Sequence, residues 1–172
     1  MSVSTMDQGL LKRNPTMTQK EFSNHWLTKH APLVVPFFLH SGITHYEQVC
    51  NASPPDSLRH LTVVLLQIHG PLSTSNPTLD VSAWDGAAAM PAQELLDMPA
   101  PMPKWKDDYY KEIILSDERR FLVSEALEHI LRVDPGTVTG EKKVIIENGK
   151  CLIEVKEEIW KVWREYEIRG AN

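Results

Sequence analysis

Apolar and polar positions divide the chain into segments of different period. Leu10 and Leu11, just before Lys12-Arg13, end a short first strand, and Asn14-Pro15 marks a turn. Thr18-Gln-Lys-Glu21 has capping-box form, with a hydroxyl for an orphan helix amide and a carboxylate reaching back. Phe22, Trp26 and Lys29/His30 follow at helical spacing. Pro32 and Pro36 break that stripe, which predicts a kinked helix or two short ones ending at Ser41-Gly42, where glycine suits a C-cap. From Ile43 to Cys50 the period falls to two, with Ile43, His45, Glu47 and Val49 on one face and Thr44, Tyr46, Gln48 and Cys50 on the other.

Asn51 to Ser57 reads as a loop, and Leu61 to Ile68 as an apolar run that periodicity cannot assign to strand or helix. Gly70 to Pro77 is a further loop. Val81 to Met90 reads as a strand whose small residues, Ala87 to Ala89, mark a closely packed surface. Irregular chain with a helical turn at Gln93 to Leu96 leads to a helix over Lys104 to Ile114. Ser116-Asp117-Glu118 reads as a fresh helix start for Arg119 to Ser124. Leu127 to Val133 is the last strand of a sheet, and Asp134-Pro135-Gly136 a turn. Asn148-Gly149, between Val144–Ile146 and Cys151–Ile153, is a strong hairpin signal. Glu154 to Arg169 is an amphipathic helix carrying Ile159, Trp160, Val162, Trp163 and Tyr166.

Composition narrows the function classes. The 172 residues are 42% hydrophobic and 24% charged, with a net charge of -5, as suits one soluble domain rather than a disordered chain. Residues 1–103 hold 11 of the 12 prolines but only 5 of the 18 basic groups, so a sparsely charged body precedes a densely charged tail. A clustered basic face, the footprint of nucleic-acid binding, is absent from the sequence. Cys50 and Cys151 are too few for a disulfide scaffold, no apolar run spans a membrane, and Met1 to Leu10 has no signal-peptide layout. A cytoplasmic protein with no membrane partner is the expectation.

The sequence has no phosphate-cradling glycine loop, no GxSxG elbow and no HExxH helix. With no HxH or HxxxH pair on one element, neither a metal nor another cofactor is expected. Histidine is the informative type, because imidazole moves protons near neutral pH. His25 and His30 lie five apart, about 140° around an unbroken α-helix. They should therefore point different ways, one to the sheet and one to the rim. His45 sits mid-strand. Asp85, between Trp84 and Gly86, is a candidate to orient a histidine, and Tyr109 of the Tyr109-Tyr110 pair is a candidate oxygen donor. Trp26, Trp84 and Trp105 are candidate pocket walls, and His129 is a further candidate contact.

One combination is characteristic. Lys12-Arg13-Asn-Pro15, Thr18-x-x-Glu21-Phe22 and His25-Trp26-x-x-x-His30-Ala31-Pro32-Leu33 resemble the opening of an EthD-type domain. Trp84-Asp85-Gly86, Tyr109-Tyr110-Lys-Glu112 and Asp117-Glu118-Arg-Arg-Phe121 are similar to the family's later landmarks. The resemblance covers residues 8–133. It implies an α+β, ferredoxin-like βαββαβ fold that pairs as a homodimeric α+β barrel over residues 1–133, with residues 134–172 as a hairpin and helix extension.

It also implies kinship with fungal polyketide-tailoring proteins, including cofactor-independent decarboxylases of anthraquinone-type acids. The resulting expectation is a cofactor-free lyase that decarboxylates an aromatic or β-keto acid of polyketide type. His30, His45, Asp85 and Tyr109 are its expected catalytic groups, and His25, Trp26, Trp84, Trp105 and His129 its expected substrate contacts. Cyclase, dehydratase or oxygenase chemistry, or a non-catalytic dimer that binds a hydrophobic metabolite, are the alternatives.

Overall fold

A computed structural model describes residues 6–50, 73–74, 84–96, 98, 100–134 and 137–171. Its centre is a six-stranded antiparallel sheet in the order β5-β1-β4-β2-β7-β8. The strands are β1 (Met6–Leu11), β2 (Tyr46–Cys50), β4 (Gly86–Pro91), β5 (Leu131–Val133), β7 (Glu141–Glu147) and β8 (Lys150–Cys151). The first four in this order, β5-β1-β4-β2, have the order of a ferredoxin-like βαββαβ unit, as the resemblance implies. A separate pair, β3 (Ser73–Thr74) with β6 (Val138–Thr139), places a strand inside the stretch read as the loop Gly70 to Pro77. The run Leu61 to Ile68, with His60 and His69, lies outside the described residues.

One helical layer covers one face of the sheet. Helix α1 (Gln19–His25) starts at the expected capping box: Thr18 accepts from the Glu21 amide, and the Glu21 carboxylate accepts from the Thr18 amide at 2.7 Å. A π turn (Trp26–His30) and α2 (Ala31–His40) continue it. The kink expected from proline takes this form for a physical reason. Pro32 has no N–H to bond Thr28, so the preceding turn can widen, and the Ala31 amide reaches back five residues to the Trp26 carbonyl. Gly42, at φ 83°, ends the helix where the C-cap was expected.

The second long helix is also interrupted by a π turn. It runs through α4 (Lys104–Tyr109), the turn Tyr110–Ile114 and α5 (Leu115–Phe121), after the short α3 (Ala92–Leu96). Here the fresh start expected at Ser116-Asp117-Glu118 is corrected. Asp117 and Glu118 lie mid-helix and are 6% and 5% exposed, because their carboxylates face partners on other elements rather than the amides of their own helix. The expected strand from Leu127 also shortens: α6 (Ala126–His129) precedes β5.

Residues after Asp134 continue the same sheet. β7 pairs with β2, and β7 and β8 close on Asn148 (φ 51°) and Gly149 (φ 71°), the turn expected from that dipeptide. Helix α7 (Glu157–Gly170) packs Trp163 and Tyr166 on α4 and α2, where Tyr109 meets both rings edge-on.

The sheet has two dissimilar faces. Leu10, Val49 and Ala87 pack on the side away from the helices with Trp84, Val133 and Val138. Leu11, Ala88 and Met90 face the helices. Close approach of helix to sheet depends on Gly86, where a Cβ would stand 2.4 Å from Trp26 Cζ3 and 3.2 Å from Phe22 Cε1. Gly86→Ala is expected to lower unfolding free energy by about 1–3 kcal/mol, through the shift forced on the Trp26 ring. Urea denaturation checks this, and an unchanged midpoint would show that the indole has room to move.

Candidate active site

The two histidines of the first helix converge on one carboxylate. His25 Nε2 lies 3.0 Å from Asp117 Oδ1, and His30 Nδ1 lies 2.9 Å from Asp117 Oδ2. The π turn makes this possible and corrects the expectation that the rings diverge. An i→i+5 turn brings residues five apart onto one face, whereas a regular α-helix would separate them. Phe121, one turn beyond Asp117, lies against both imidazoles with ring centroids 4.9 Å away. It is fully buried, so the assembly is walled on that side.

A carboxylate can only accept, so each imidazole donates to it. His25 therefore carries its proton on Nε2, and His30 on Nδ1. In neutral His30 the basic nitrogen is Nε2, and no described residue hydrogen-bonds to it. Burial pushes the Asp117 carboxyl up, but the hydrogen bonds and charges of His30 and His25 outweigh burial and hold it below the usual carboxylate value.

His30 borders a cleft of about 420 Å³ between the helical layer and strands β1 and β4. Its walls include Trp26, Val34, Phe37, Tyr46, Ala88 and Ile114, with Met90, Met98 and Met102 from the proline-rich middle of the chain. The pocket is largely apolar; of the expected tryptophan walls Trp26 lines it, and the thioethers suit a flat, polarisable ligand. Polar groups are few. Tyr110 and Glu118 enter from the second helix, and Asp7 and Arg132 from the strands. Glu118 Oε2 accepts from the Ala126 amide at 2.8 Å. Burial raises the Glu118 carboxyl above its usual value, more than that amide and His30 lower it. Burial likewise raises the Tyr110 phenol.

The other candidates occupy different surroundings. Trp26 is 1% exposed and lines the cleft, and His25 stands behind His30 on Asp117. Tyr109 lies in the core, its hydroxyl donating to the Leu33 carbonyl at 2.8 Å. His45 sits before β2 and pairs with Glu47 at 3.2 Å, on the sheet face away from the cleft. Asp85 accepts from the Arg13 backbone and guanidinium, both at 3.0 Å, and so ties the end of β1 to the start of β4. Trp84 lies under the Lys12 ammonium, and Trp105 packs edge-on to His40 and Trp163. His129 Nε2 accepts from the Lys12 amide at 3.1 Å, and its Nδ1 faces the Glu125 carbonyl and Ser124 hydroxyl.

Asp117, Glu118 and Tyr110 were not singled out from the sequence as site residues. The available signal was the i, i+4 series Tyr110, Ile114, Glu118, which a continuous second helix aims at one surface. Among the described residues, no three His, Cys, Asp or Glu side chains are placed to hold a metal ion. No helix among them is long and apolar enough to cross a membrane.

Because Asp117 is held below its ordinary value of 3.8, it stabilises the fold fully above that pH and loses this contribution as pH falls through its folded value. Asp117→Asn is therefore expected to cost about 1–3 kcal/mol at pH 7. The gap from wild type should narrow below pH 3.8, as followed by denaturation from pH 7 to pH 2. A gap that is constant with pH would mean that the carboxylate charge contributes nothing.

The match to known families falls on this region. The EthD domain family matches residues 14–125, which include the capping box, His25, His30, Asp117 and Glu118. No curated protein and no solved structure matches the chain. The family match extends over more than half of the sequence and agrees with the signature residues and the strand order, so the chain belongs to the EthD domain family.

Proposed function

We propose that the protein is a cofactor-independent carbon–carbon lyase that decarboxylates an ortho-hydroxy aromatic or β-keto acid of polyketide type. The observation that carries this reading is the pairing, along one apolar cleft, of an imidazole held by the Asp117 carboxylate with the buried Glu118 carboxyl, which burial raises above its usual value. EthD family membership is compatible with an enzyme. The resemblance to dimeric relatives extends the proposal to a homodimer.

The chemistry needs only proton transfers. His30 Nε2 takes the proton of the substrate hydroxyl, and the oxygen's electrons push into the ring. The ipso carbon then bonds the proton of the Glu118 carboxyl. The bond to the carboxylate breaks, its electron pair returns to the ring, and carbon dioxide leaves. His30 gives its proton back to the oxygen, and Glu118 is reprotonated from water, so the net change is one proton taken up per carbon dioxide released. Asp117 keeps the imidazole in the required tautomer and steadies its charge without taking the proton. Tyr110 donates to a ring oxygen, and Arg132 draws the acid to the cleft. The apolar walls strip water from the carboxylate, which favours loss of the neutral gas.

The test is incubation with ortho-hydroxy anthraquinone and β-keto aromatic carboxylic acids while carbon dioxide is measured. His30→Asn and Glu118→Gln should each lower turnover by about 10²–10⁴-fold, and His45→Ala should leave it near wild type. Glu118 is raised by burial, so its ionised form is the costly one above its folded value. Glu118→Gln should therefore be at least as stable as wild type at pH 8, which separates lost chemistry from lost folding. Absence of carbon dioxide from all these acids, or full turnover in both variants, would overturn the proposal.

A further inference from the structure

Asp117 also borders a second cavity, on the outer side of the helical layer. This groove of about 630 Å³ runs between the first π turn, α5 and the segment that leads into α7. Its apolar wall comprises Leu27, Pro32, Leu33, Ile153 and Ile159. Lys29, Arg120 and Lys156 supply its cations, and Asp117 and Glu154 its carboxylates. The three cations outnumber the two carboxylates by one, and Asp117 makes its short contacts to two imidazoles rather than to any of the three. Among the described residues, none of the three cations forms an ion pair. Nearby, Arg119 is paired with Glu125 and Arg164 with Glu157. All three cations are exposed beside an apolar wall, in a cavity of a size that takes small ligands.

We propose that this groove binds a small amphipathic anion. Lys29, Arg120 and Lys156 hold a carboxylate or phosphate head, and an apolar body lies on Leu27, Leu33, Ile153 and Ile159. Unpaired cations at the rim supply charge complementarity, and the guanidinium of Arg120 can meet either head with two parallel hydrogen bonds. The site is separate from the inner cleft and does not rest on the reaction proposed there. It is linked to that cleft through Asp117, which borders the groove while orienting His30. Occupancy therefore places negative charge beside the carboxylate that both imidazoles share, and each event senses the other.

The test titrates the full chain with decanoate, decyl phosphate and decanol, below their micelle-forming concentrations. Methyl resonances of Leu27, Leu33, Ile153 and Ile159 and the ring resonances of His25 are followed. Both anions should move these signals, with decanol binding at least about tenfold more weakly, as expected for loss of a charge-assisted contact. The head that binds more tightly identifies whether carboxylates or phosphates are the natural source. The double variant Lys29→Glu/Lys156→Glu changes exposed positions only. It should weaken both anions about tenfold and leave decanol unchanged. Equal binding of decanoate and decanol, shifts confined to Val34, Leu127 and Ile130 of the inner cleft, or unchanged affinity in the double variant would each overturn the proposal.

Discussion

The carboxylate of Asp117 stands between two imidazoles, and the geometry of the cleft follows from that contact. The bond joins the two long helices at the point where each could otherwise slide along the sheet. It gives His30, which lines the cleft, a defined tautomer. Phe121 lies against the same pair, its buried ring covering both histidines on one side. A buried carboxylate without partners would cost several kcal/mol, roughly the size of a domain's margin of stability, so the pairing supports the fold itself.

Reaching that contact requires two irregular helices. A straight α-helix would send His25 and His30 apart. The five-residue turn before Pro32 brings them together. The second helix also widens, at Tyr110–Ile114, immediately before the residues that face the first. Widened turns weaken local hydrogen bonding and persist where tertiary contacts compensate. Here the compensation is the hydrogen-bonded cluster on Asp117 on one side and the aromatic packing of Trp26, Phe22 and Phe121 on the other.

Much of the architecture was legible in the chain. The capping box, the glycine stop and the Asn-Gly hairpin are local signals, set by backbone chemistry within a few residues, and each appears where the pattern placed it; the alternating run from Ile43 forms a strand only over Tyr46–Cys50. The family signature identified the first helix and the strand order. The candidate site was less legible, because it depends on distance in space. Asp117-Glu118 has the composition of a helix start, and only the packing of the second helix on the first turns it into a buried acid pair. Tyr109 and Tyr110 are chemically equal in the sequence. Helix α7 decides between them by enclosing Tyr109 and leaving Tyr110 to the cleft. His45 was expected mid-strand but precedes β2, and the face it shares with Glu47 lies away from the helices.

Two environments thus meet at one carboxylate: an apolar inner cleft bordered by His30 and the buried Glu118, and a cationic outer groove. Long-range ¹H–¹⁵N correlation of the imidazole rings at pH 8 tests the central claim most directly, because it reads which nitrogen bears hydrogen. His30 should be protonated on Nδ1 and His25 on Nε2, each facing Asp117. A His30 ring protonated on Nε2, or rapid exchange between its two tautomers, would contradict the account.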